Sequence, residues 1–328
     1  MIALVTGCTG FIGSILTEKL VEEGWQVHCL VRKTSSLEYL QNQPVNLLYG
    51  DISSSSLELF SGVIGEITHV FHIAGVTKAV RPEHYFQTNG LNTCHLLQAC
   101  ALHAKRLRRF IYLSSLAAAG PSPDGSPGRE GDAPHPVSMY GRSKLEGEIC
   151  CAKFKSQLPI TIIRAPVVFG PRSRDLLQYL KPLKRGIRLR FRQDSNLLSL
   201  VHVHDLVRGI LIAAVHPKAP GETYFIANPE PYTWSQLFDS IAKLVNRKTI
   251  PITIPLWMLS LAAALSGLYS KLSGKPGMLN FDKLDEIRNR FWVCSTEKVR
   301  EQLGFTTSMS LAEGLRQNID WYLQNGWL

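Results

Sequence analysis

A glycine-rich turn directly after an apolar run is the feature that most constrains this chain. The run Met1-Ile2-Ala3-Leu4-Val5 favours a β-strand, and the next eight residues lead into apolar positions at helical spacing. Glycines three apart permit a tight turn close to a pyrophosphate, and the first helical amides favour an anion. The sequence predicts a dinucleotide site formed by Thr6, Gly7, Thr9, Gly10, Phe11, Ile12 and Gly13.

Strand-like and helical stretches then alternate along the chain. With 328 residues it can form one large or two modest domains. Strand-like runs occur at 26–31, 45–49, 69–73 and 109–113, and a long helix is predicted over 84–104. This order predicts an α/β fold of Rossmann type, with a doubly wound parallel sheet. We place the dinucleotide-binding domain at 1–170 and a smaller, mostly C-terminal α/β substrate-binding region at 171–328, with a segment near 201–228 returning to the first sheet.

Two cations at the end of the second predicted strand indicate which cofactor binds. Arg32 and Lys33 follow the run 26–31. At this position an acid bonds the ribose 2′-hydroxyl of NAD, whereas an arginine accommodates the 2′-phosphate of NADP. The sequence therefore predicts NADP(H) and makes NAD(H) less favoured.

Two further strand ends carry candidate cofactor contacts. Asp51 and Ile52 follow the third strand, where an adenine would lie, although Asp51 could also cap a helix. Ala74 and Gly75 follow the fourth strand and are small enough for close approach by the cofactor.

Hydroxyl groups and a lysine follow the fifth strand. Ser114 and Ser115 stand at its end, and Tyr140 and Lys144 lie one turn apart on the next predicted helix. Between them, residues 116–137 contain five prolines, which predicts a loop and a candidate lid beside the site.

These motifs together resemble the extended short-chain dehydrogenases/reductases, the NAD(P)-dependent epimerase/dehydratase superfamily. The resemblance is carried by TGCTGFIG, GDI, HIAG, YGRSK, IIRAPVVFGP, LVHVHDLV and GETYFIANPEPYTW. It implies cofactor contacts from Ser114, Pro166 and Val168. Asn89 is similar to the asparagine of the family's NxxGT pattern and would bind cofactor or support packing, but Asn92 replaces the usual glycine.

The resemblance also implies how the hydroxyl groups and the lysine act. Ser115 precedes Tyr140 by the family's spacing of twenty-five residues, which favours Ser115 over Ser114. A free tyrosine has a pKa near 10, and the ammonium of Lys144 would stabilise its phenolate. Tyr140 is then the acid/base, and Ser115 donates a hydrogen bond to the developing alkoxide.

Apolar residues occupy three positions where relatives in this family carry charge. Dehydratases place an Asp-Glu pair where this chain has Leu116 and Ala117, and 4-epimerases place a diphosphate-binding arginine where it has Leu198. The chain looks most like the dihydroflavonol 4-reductase and 3β-hydroxysteroid dehydrogenase branch. This implies reversible reduction of a ketone to a secondary alcohol on a lipophilic steroid-, flavonoid- or lipid-like substrate. The alternative is a nucleotide-sugar 4-epimerase with tightly bound NAD.

The C-terminal half holds a basic segment and an uncharged segment. The basic cluster over 172–192 accounts for much of the net charge of +10, and it could bind an anion or form a solvated face. No charge occurs over 249–270, where Pro255 and Gly267 bound a predicted helix of about 15 residues, short of the roughly 20 that span a bilayer. This helix could be a core helix, a wall of the substrate pocket, or a peripheral membrane contact through residues 255–272, aided by Lys271, Lys275 and nearby cations.

Partner and compartment predictions rest on what the sequence lacks. No leader pattern is visible, which predicts a cytoplasmic protein, and the seven cysteines favour thiols over disulfides. His202 and His204 would share one face of a strand, but no third ligand accompanies them, so no metal is predicted. The basic cluster has no nucleic-acid recognition motif. Family resemblance implies a homodimer through the 84–104 and Tyr140 helices.

Overall fold

A parallel sheet of seven strands forms the centre of the molecule. The computed structural model describes residues 1–191, 196–245, 249–274, 277 and 281–328. The strands of this sheet, in the order in which they lie side by side, are β11 (Thr223–Phe225), β6 (Ile160–Ala165), β5 (Arg109–Ser115), β4 (His69–His72), β1 (Ile2–Thr6), β2 (Gln26–Val31) and β3 (Val45–Tyr49). The order reverses between β1 and β4, and ligands of such sheets bind at that point, beyond the carboxyl ends of the strands.

Alternating side chains of the strands bury opposite faces of the sheet. Ala3 and Val5 belong to one core cluster, whereas Leu4 belongs to another, because successive strand residues point to opposite sides. In β5, Ile111 and Phe110 divide in the same way. The helices of the first cluster are α1 (Phe11–Glu22), α9 (Val203–Val215) and α13 (Glu297–Leu303); those of the second include α2 (Ser54–Glu58), α3 (Ser61–Glu66), α5 (Asn92–His103) and α7 (Met139–Lys153). These two helical layers make the fold a doubly wound α/β sandwich.

A further core, separate from the two clusters on the faces of the central sheet, lies in the C-terminal half. Its helices are α8 (Leu177–Lys184), α10 (Trp234–Val245) and α14 (Leu311–Gln324). The small sheets of this half pair β7 (Val167–Phe169) with β10 (Leu200–His202), β8 (Ile187–Phe191) with β13 (Ile250–Ile254), and β9 (Leu197–Leu198) with β12 (Tyr232–Thr233) and β14 (Phe291–Trp292). Its remaining helices are α11 (Leu256–Ser273) and α12 (Phe281–Arg288). No helix in the described part of the chain is long and apolar enough to cross a membrane.

The loop after β5 is anchored at several points. It begins with a short helix, α6 (Leu116–Ala119), and then forms isolated bridges from Ser122 to Phe291 and from Gly128 to Cys294. A ring nitrogen of His135 lies 2.7 Å from the carbonyl oxygen of Pro121. The segment 116–137 is therefore tied to β14 and its neighbourhood.

The helix predicted over 84–104 is present, as α4 (Pro82–Tyr85), a π-helix (Phe86–Leu91) and α5 in succession. Two other local predictions were wrong. The strand expected to carry both histidines ends at His202, which is the N-cap of α9. Cys94 and Cys150 form a disulfide between α5 and α7 with Cα atoms 5.3 Å apart, against the expectation of thiols. The other five cysteines are free and buried.

Candidate active site

The turn between β1 and α1 has the backbone geometry that a pyrophosphate site requires. Gly7 has a φ of +74°, and a Cβ there would lie 2.7 Å from the amide nitrogen of Ala74. A Cβ at Gly13 would overlap the carbonyl oxygen of Gly7. Gly10 is the N-cap of α1 and brings no side chain to the first amide groups, so they can face an anion. The turn fits the pyrophosphate of a dinucleotide.

The side chain of Thr6 points away from the cofactor side of the turn. Its hydroxyl lies 2.7 Å from Nδ1 of His72 and accepts a hydrogen bond from the amide of Ala74 at 3.3 Å. The other ring nitrogen of His72 lies 2.9 Å from the hydroxyl of Thr93. Burial lowers the pKa of His72 to about 3, so the ring is neutral. The pair braces the loop after β4 against the glycine turn, which leaves Thr6 only its backbone for a cofactor.

Close packing and two caps position the helix that carries Tyr140. A Cβ at Gly141 would overlap the carbonyl oxygen of Ala117, so glycine lets α7 approach α6 beside Ser115. The hydroxyl of Ser138 caps α7 by accepting from the amide of Gly141 at 3.0 Å. Asp282 of α12 accepts hydrogen bonds from the amides of Met139 and, at 3.2 Å, Tyr140. The start of α7 is thus fixed from both halves of the chain.

Tyr140 and Ser115 meet at the carboxyl end of β5. The Ser115 hydroxyl accepts from the amide of Ala117 at 3.1 Å. Burial raises the pKa of Tyr140 to about 12, and the neighbouring Ser115 side chain opposes that rise. The phenol therefore holds its proton at neutral pH.

The ammonium group of Lys144 is buried beneath the same strand end. It donates to the carbonyl oxygen of Leu113 at 2.5 Å and lies 4.4 Å from the centre of the Tyr112 ring. A Cβ at Gly75 would lie 3.6 Å from this ammonium, so Lys144 faces the turn after β4 on the cofactor side. Burial lowers the pKa of Lys144 to about 8, and Glu148 opposes that shift.

A buried ion pair behind Lys144 was not found from the sequence. Glu148 binds Arg164 through two hydrogen bonds of 3.0 Å and 2.7 Å, and it accepts from the hydroxyl of Ser114 at 2.5 Å. Ser114 is therefore used inside the protein. The spacing from Tyr140 through Lys144 to Glu148, four residues each, was the available signal, because it places all three on one helix face.

Asn89 ties together three elements around the site. Its amide oxygen accepts from the amide of Val76 at 2.9 Å, and its amide nitrogen donates to the Val76 carbonyl at 3.0 Å and the Ser143 hydroxyl at 2.9 Å. Both donors are thus used by the protein, as packing support requires. Asn89 lies in the π-helix, a form of helix that is frequent at functional sites.

Charged residues surround the predicted adenosine end of the turn. Arg32 and Lys33 are exposed after β2, and hydrogen bonds from Ser53 together with the charge of Arg32 lower the pKa of Asp51. Asp51 accepts from the amide of Ser53 at 2.9 Å, beside the helix start that Ser53 caps. The remaining predicted cofactor residues are at least partly exposed at the same edge of the sheet: Thr9, Gly10, Phe11, Ile12, Ile52, Ala74, Gly75, Pro166 and Val168.

A family model matches most of this chain. Residues 3–227 match the model described as the NAD dependent epimerase/dehydratase family. The chain belongs to this family. The resemblance inferred from the motifs is therefore confirmed, as are the Rossmann-type fold and an NAD(P)-dependent enzyme that acts on CH–OH groups.

Three similar proteins illustrate the range of this family. A ceramide reductase of Caulobacter vibrioides is 26% identical over 330 residues and covers 100% of this chain and 96% of its own. A UDP-glucose 4-epimerase of Vibrio cholerae is 26% identical over 335 residues, or 98% of this chain and 95% of its own. A putative dihydroflavonol 4-reductase of Synechocystis is 28% identical over 343 residues, or 99% and 95%. Both reductases and an epimerase thus resemble this family member.

Positions that carry charge in other branches of the epimerase/dehydratase family are apolar and buried here. Leu116 packs with Phe225 in a small core cluster, and Ala117 is buried beside Ser115. Leu198 lies in the core of the C-terminal half. None of these three side chains can supply a carboxylate for elimination or a cation for a diphosphate.

The described part of the basic cluster is committed in part to other contacts. Arg172 binds Ser14 and Glu18 of α1 at 2.9 Å and 2.6 Å and lies over the ring of Tyr39. Arg174 lies over the ring of Trp327. Arg192, the last residue of the predicted basic cluster, lies outside the described residues. Arg172 therefore joins the two halves of the molecule rather than facing solvent.

Proposed function

We propose that this protein is an NADP(H)-dependent oxidoreductase that interconverts a ketone and a secondary alcohol on a hydrophobic substrate. The observation that carries the proposal is the meeting of the Tyr140 and Ser115 side chains. It lies at the carboxyl end of β5, and the ammonium of Lys144 lies within 3.6 Å of a Cβ position at Gly75, in the turn after β4. A proton donor, a hydrogen-bond donor and a cation thus gather where a cofactor on the glycine turn would end.

Each side chain has one task in the reduction. A bound nicotinamide would supply the hydride that the carbonyl carbon receives. Tyr140 gives its proton to the carbonyl oxygen, since its raised pKa of about 12 keeps the phenol protonated at neutral pH. Ser115 donates a hydrogen bond to that oxygen as negative charge develops. Lys144 stabilises the phenolate that remains, and a proton from water restores Tyr140.

The cofactor preference rests on charge at the end of β2. Arg32 and Lys33 are exposed there, and a guanidinium matches the doubly charged 2′-phosphate of NADP. Asp51 lies close enough for Arg32 to lower its pKa. We propose that Arg32 binds the 2′-phosphate.

The substrate class rests on apolar residues at positions where other branches of the family carry charge. Leu116 and Ala117 follow Ser115, and Leu198 replaces a charged contact. Such side chains favour a substrate without a diphosphate. The ceramide reductase and the putative dihydroflavonol 4-reductase, whose names indicate reduction, support the same interpretation.

A nucleotide-sugar 4-epimerase is the second candidate, favoured by the Vibrio cholerae relative. An epimerase returns its hydride to the substrate, so it retains NAD and shows no net redox change. Mass spectrometry of the cofactor released from purified protein distinguishes the two, because a reductase of the proposed kind yields NADP(H).

The direct test is NADPH oxidation with fractionated lipid extract. The wild type should oxidise NADPH with a lipid ketone, and Tyr140→Phe should bind NADPH but turn over about 10²- to 10⁴-fold more slowly. Normal turnover by Tyr140→Phe would contradict the assignment of the acid. If lipid ketones give no turnover while UDP-sugars are epimerised, the reductase proposal is wrong.

A further inference from the structure

Helix α11 presents its large apolar side chains to solvent. Six of them are 47% to 81% exposed: Trp257, Met258, Leu261, Leu265, Tyr269 and Leu272. Because each helical residue turns by about 100°, these six fall within a stripe about 120° wide. Ala263 and Ser270 are buried on the opposite side. The apolar face of α11 is thus directed away from the protein, opposite to the usual arrangement.

The apolar surface continues onto β13, which leads directly into α11. Ile250 is 73% exposed and Ile252 is 46% exposed. Together with the six side chains of α11, they form what we call the apolar ridge. Exposed apolar side chains gathered in this way are typical of surfaces that bind proteins or membranes.

Exposed cations lie beside the apolar ridge. The amide of Ile250 donates to the carbonyl oxygen of Gly186 at 2.9 Å, and Lys184 and Arg185 immediately before Gly186 are exposed. Lys181 is exposed one turn earlier in α8. The apolar ridge is therefore bordered by positive charge.

We propose that the apolar ridge docks on an anionic lipid bilayer. A helix of 18 residues is about 27 Å long and can lie in the interface with its apolar face among the acyl chains. Trp257 and Tyr269 suit the headgroup level. Lys184 and Arg185 would then contact anionic headgroups. A second copy of this chain fits less well, since each copy carries a net charge of +10 and like charges would oppose each other.

The docking helix is connected to the proposed active site through α12. Helix α12 packs against α11, and its Asp282 accepts the hydrogen bond from the amide of Tyr140. The docking itself does not depend on the identity of the substrate.

Vesicle sedimentation without substrate tests the proposal. The full-length protein should sediment with vesicles of phosphatidylcholine and phosphatidylglycerol, less with phosphatidylcholine alone, and less again at high salt. The double variant Leu261→Asp/Leu265→Asp should bind about tenfold more weakly or worse. Lys184→Glu/Arg185→Glu should weaken binding only to vesicles that contain phosphatidylglycerol.

The matched control changes two exposed leucines on other elements. Leu59→Asp/Leu323→Asp alters side chains that are 83% and 54% exposed and should bind vesicles like the wild type. Thermal melts of each variant verify folding, and a variant that melts early is replaced by Trp257→Ser. Absence of wild-type binding at low salt would overturn the proposal. An equal loss of vesicle binding in the control variant would also overturn it. So would a wild-type protein that does not bind vesicles but forms a dimer that Leu261→Asp/Leu265→Asp breaks. A failed reductase assay with intact vesicle binding would contradict only the proposed function.

Discussion

Asp282 accepts a hydrogen bond from the backbone amide of Tyr140 at 3.2 Å. Its carboxylate also accepts from the amide of Met139, so it caps the helix that carries the proposed acid. Helix N-termini favour such negative charge. The C-terminal half thereby fixes the position of a residue at the carboxyl edge of the first sheet.

Removing this cap should destabilise the protein and misplace Tyr140. Asp282→Ala should lower the free energy of unfolding by about 0.5–2 kcal/mol and reduce kcat more than it raises KM. Asp285→Ala is the control on the same helix, since Asp285 pairs only with exposed Arg288 among the ion pairs described, and it should change stability by less than about 0.5 kcal/mol. Denaturant melts and steady-state kinetics measure both. Equal effects of the two variants would show that the cap does not matter.

The pH dependence of reduction should follow Lys144. Its pKa is lowered to about 8, so the cation is lost as pH rises through 8, and kcat/KM for ketone reduction should fall there. Lys144→Met should be about 10²-fold slower and lack that decline. A wild-type profile that stays flat from pH 7 to 10 would contradict this role.

The lowered pKa of Lys144 predicts that stability changes with pH in the opposite direction to activity. A lysine pKa lowered from 10.5 to about 8 means that the unfolded chain binds more protons between these values. The contribution of Lys144 to the free energy of unfolding should therefore increase from pH 8 to pH 10.5. Urea melts of the wild type and Lys144→Met across this range isolate the contribution, and the difference between them should change in that direction.

Replacing Arg32 at the end of β2 should shift the cofactor preference from NADPH towards NADH. Arg32→Asp should weaken NADPH binding about tenfold or more, because it removes a charge-assisted contact, and should affect NADH little. Lys105→Asp changes an exposed cation on another element and should leave both affinities unchanged. Fluorescence titration gives the ratio, and an unchanged ratio in Arg32→Asp would refute the 2′-phosphate assignment.

Substitutions at two glycines of the turn should affect folding and cofactor binding differently. A Cβ at Gly13 overlaps the backbone of Gly7, whereas one at Gly10 lies 3.3 Å from the same carbonyl oxygen. Gly13→Ala should therefore cost about 1–3 kcal/mol of stability and abolish NADPH binding. Gly10→Ala should melt nearly as the wild type does while binding NADPH more weakly. Similar melting of both variants would show that the close approach is not required.

Local motifs made much of the fold and site predictable. The strand over 26–31 and the turn at 7–13 depend on neighbouring residues, so periodicity and glycine spacing were sufficient. The cap by Asp282 depends on packing across 142 residues, which no local pattern encodes. The homodimer through α5 and α7 stays a prediction.

The uncharged segment shows where composition misleads. A helix that is apolar on all sides usually indicates burial, and its end was placed near Gly267 because glycine often terminates helices. In the structure α11 continues to Ser273 and ends at Gly274 in the left-handed conformation. From the sequence alone, the side of α11 that is exposed cannot be distinguished from the side that is buried. Only the burial of Ala263 in the structure shows which side faces the protein. Lys275, expected to assist at this helix, lies outside the described residues.

The edge strand β11 gives the first sheet a particular order of assembly. It pairs with β6 but follows β7, α8, β8, β9, β10 and α9 in the chain. During synthesis, β6 therefore remains an open edge until residues 223–225 have emerged, and an open edge invites pairing with other chains. A chimera that takes the substrate-binding region of a relative should therefore keep residues 200–228 of the recipient. If everything after residue 170 were exchanged, the recipient would lose its own β11, which is part of its first sheet.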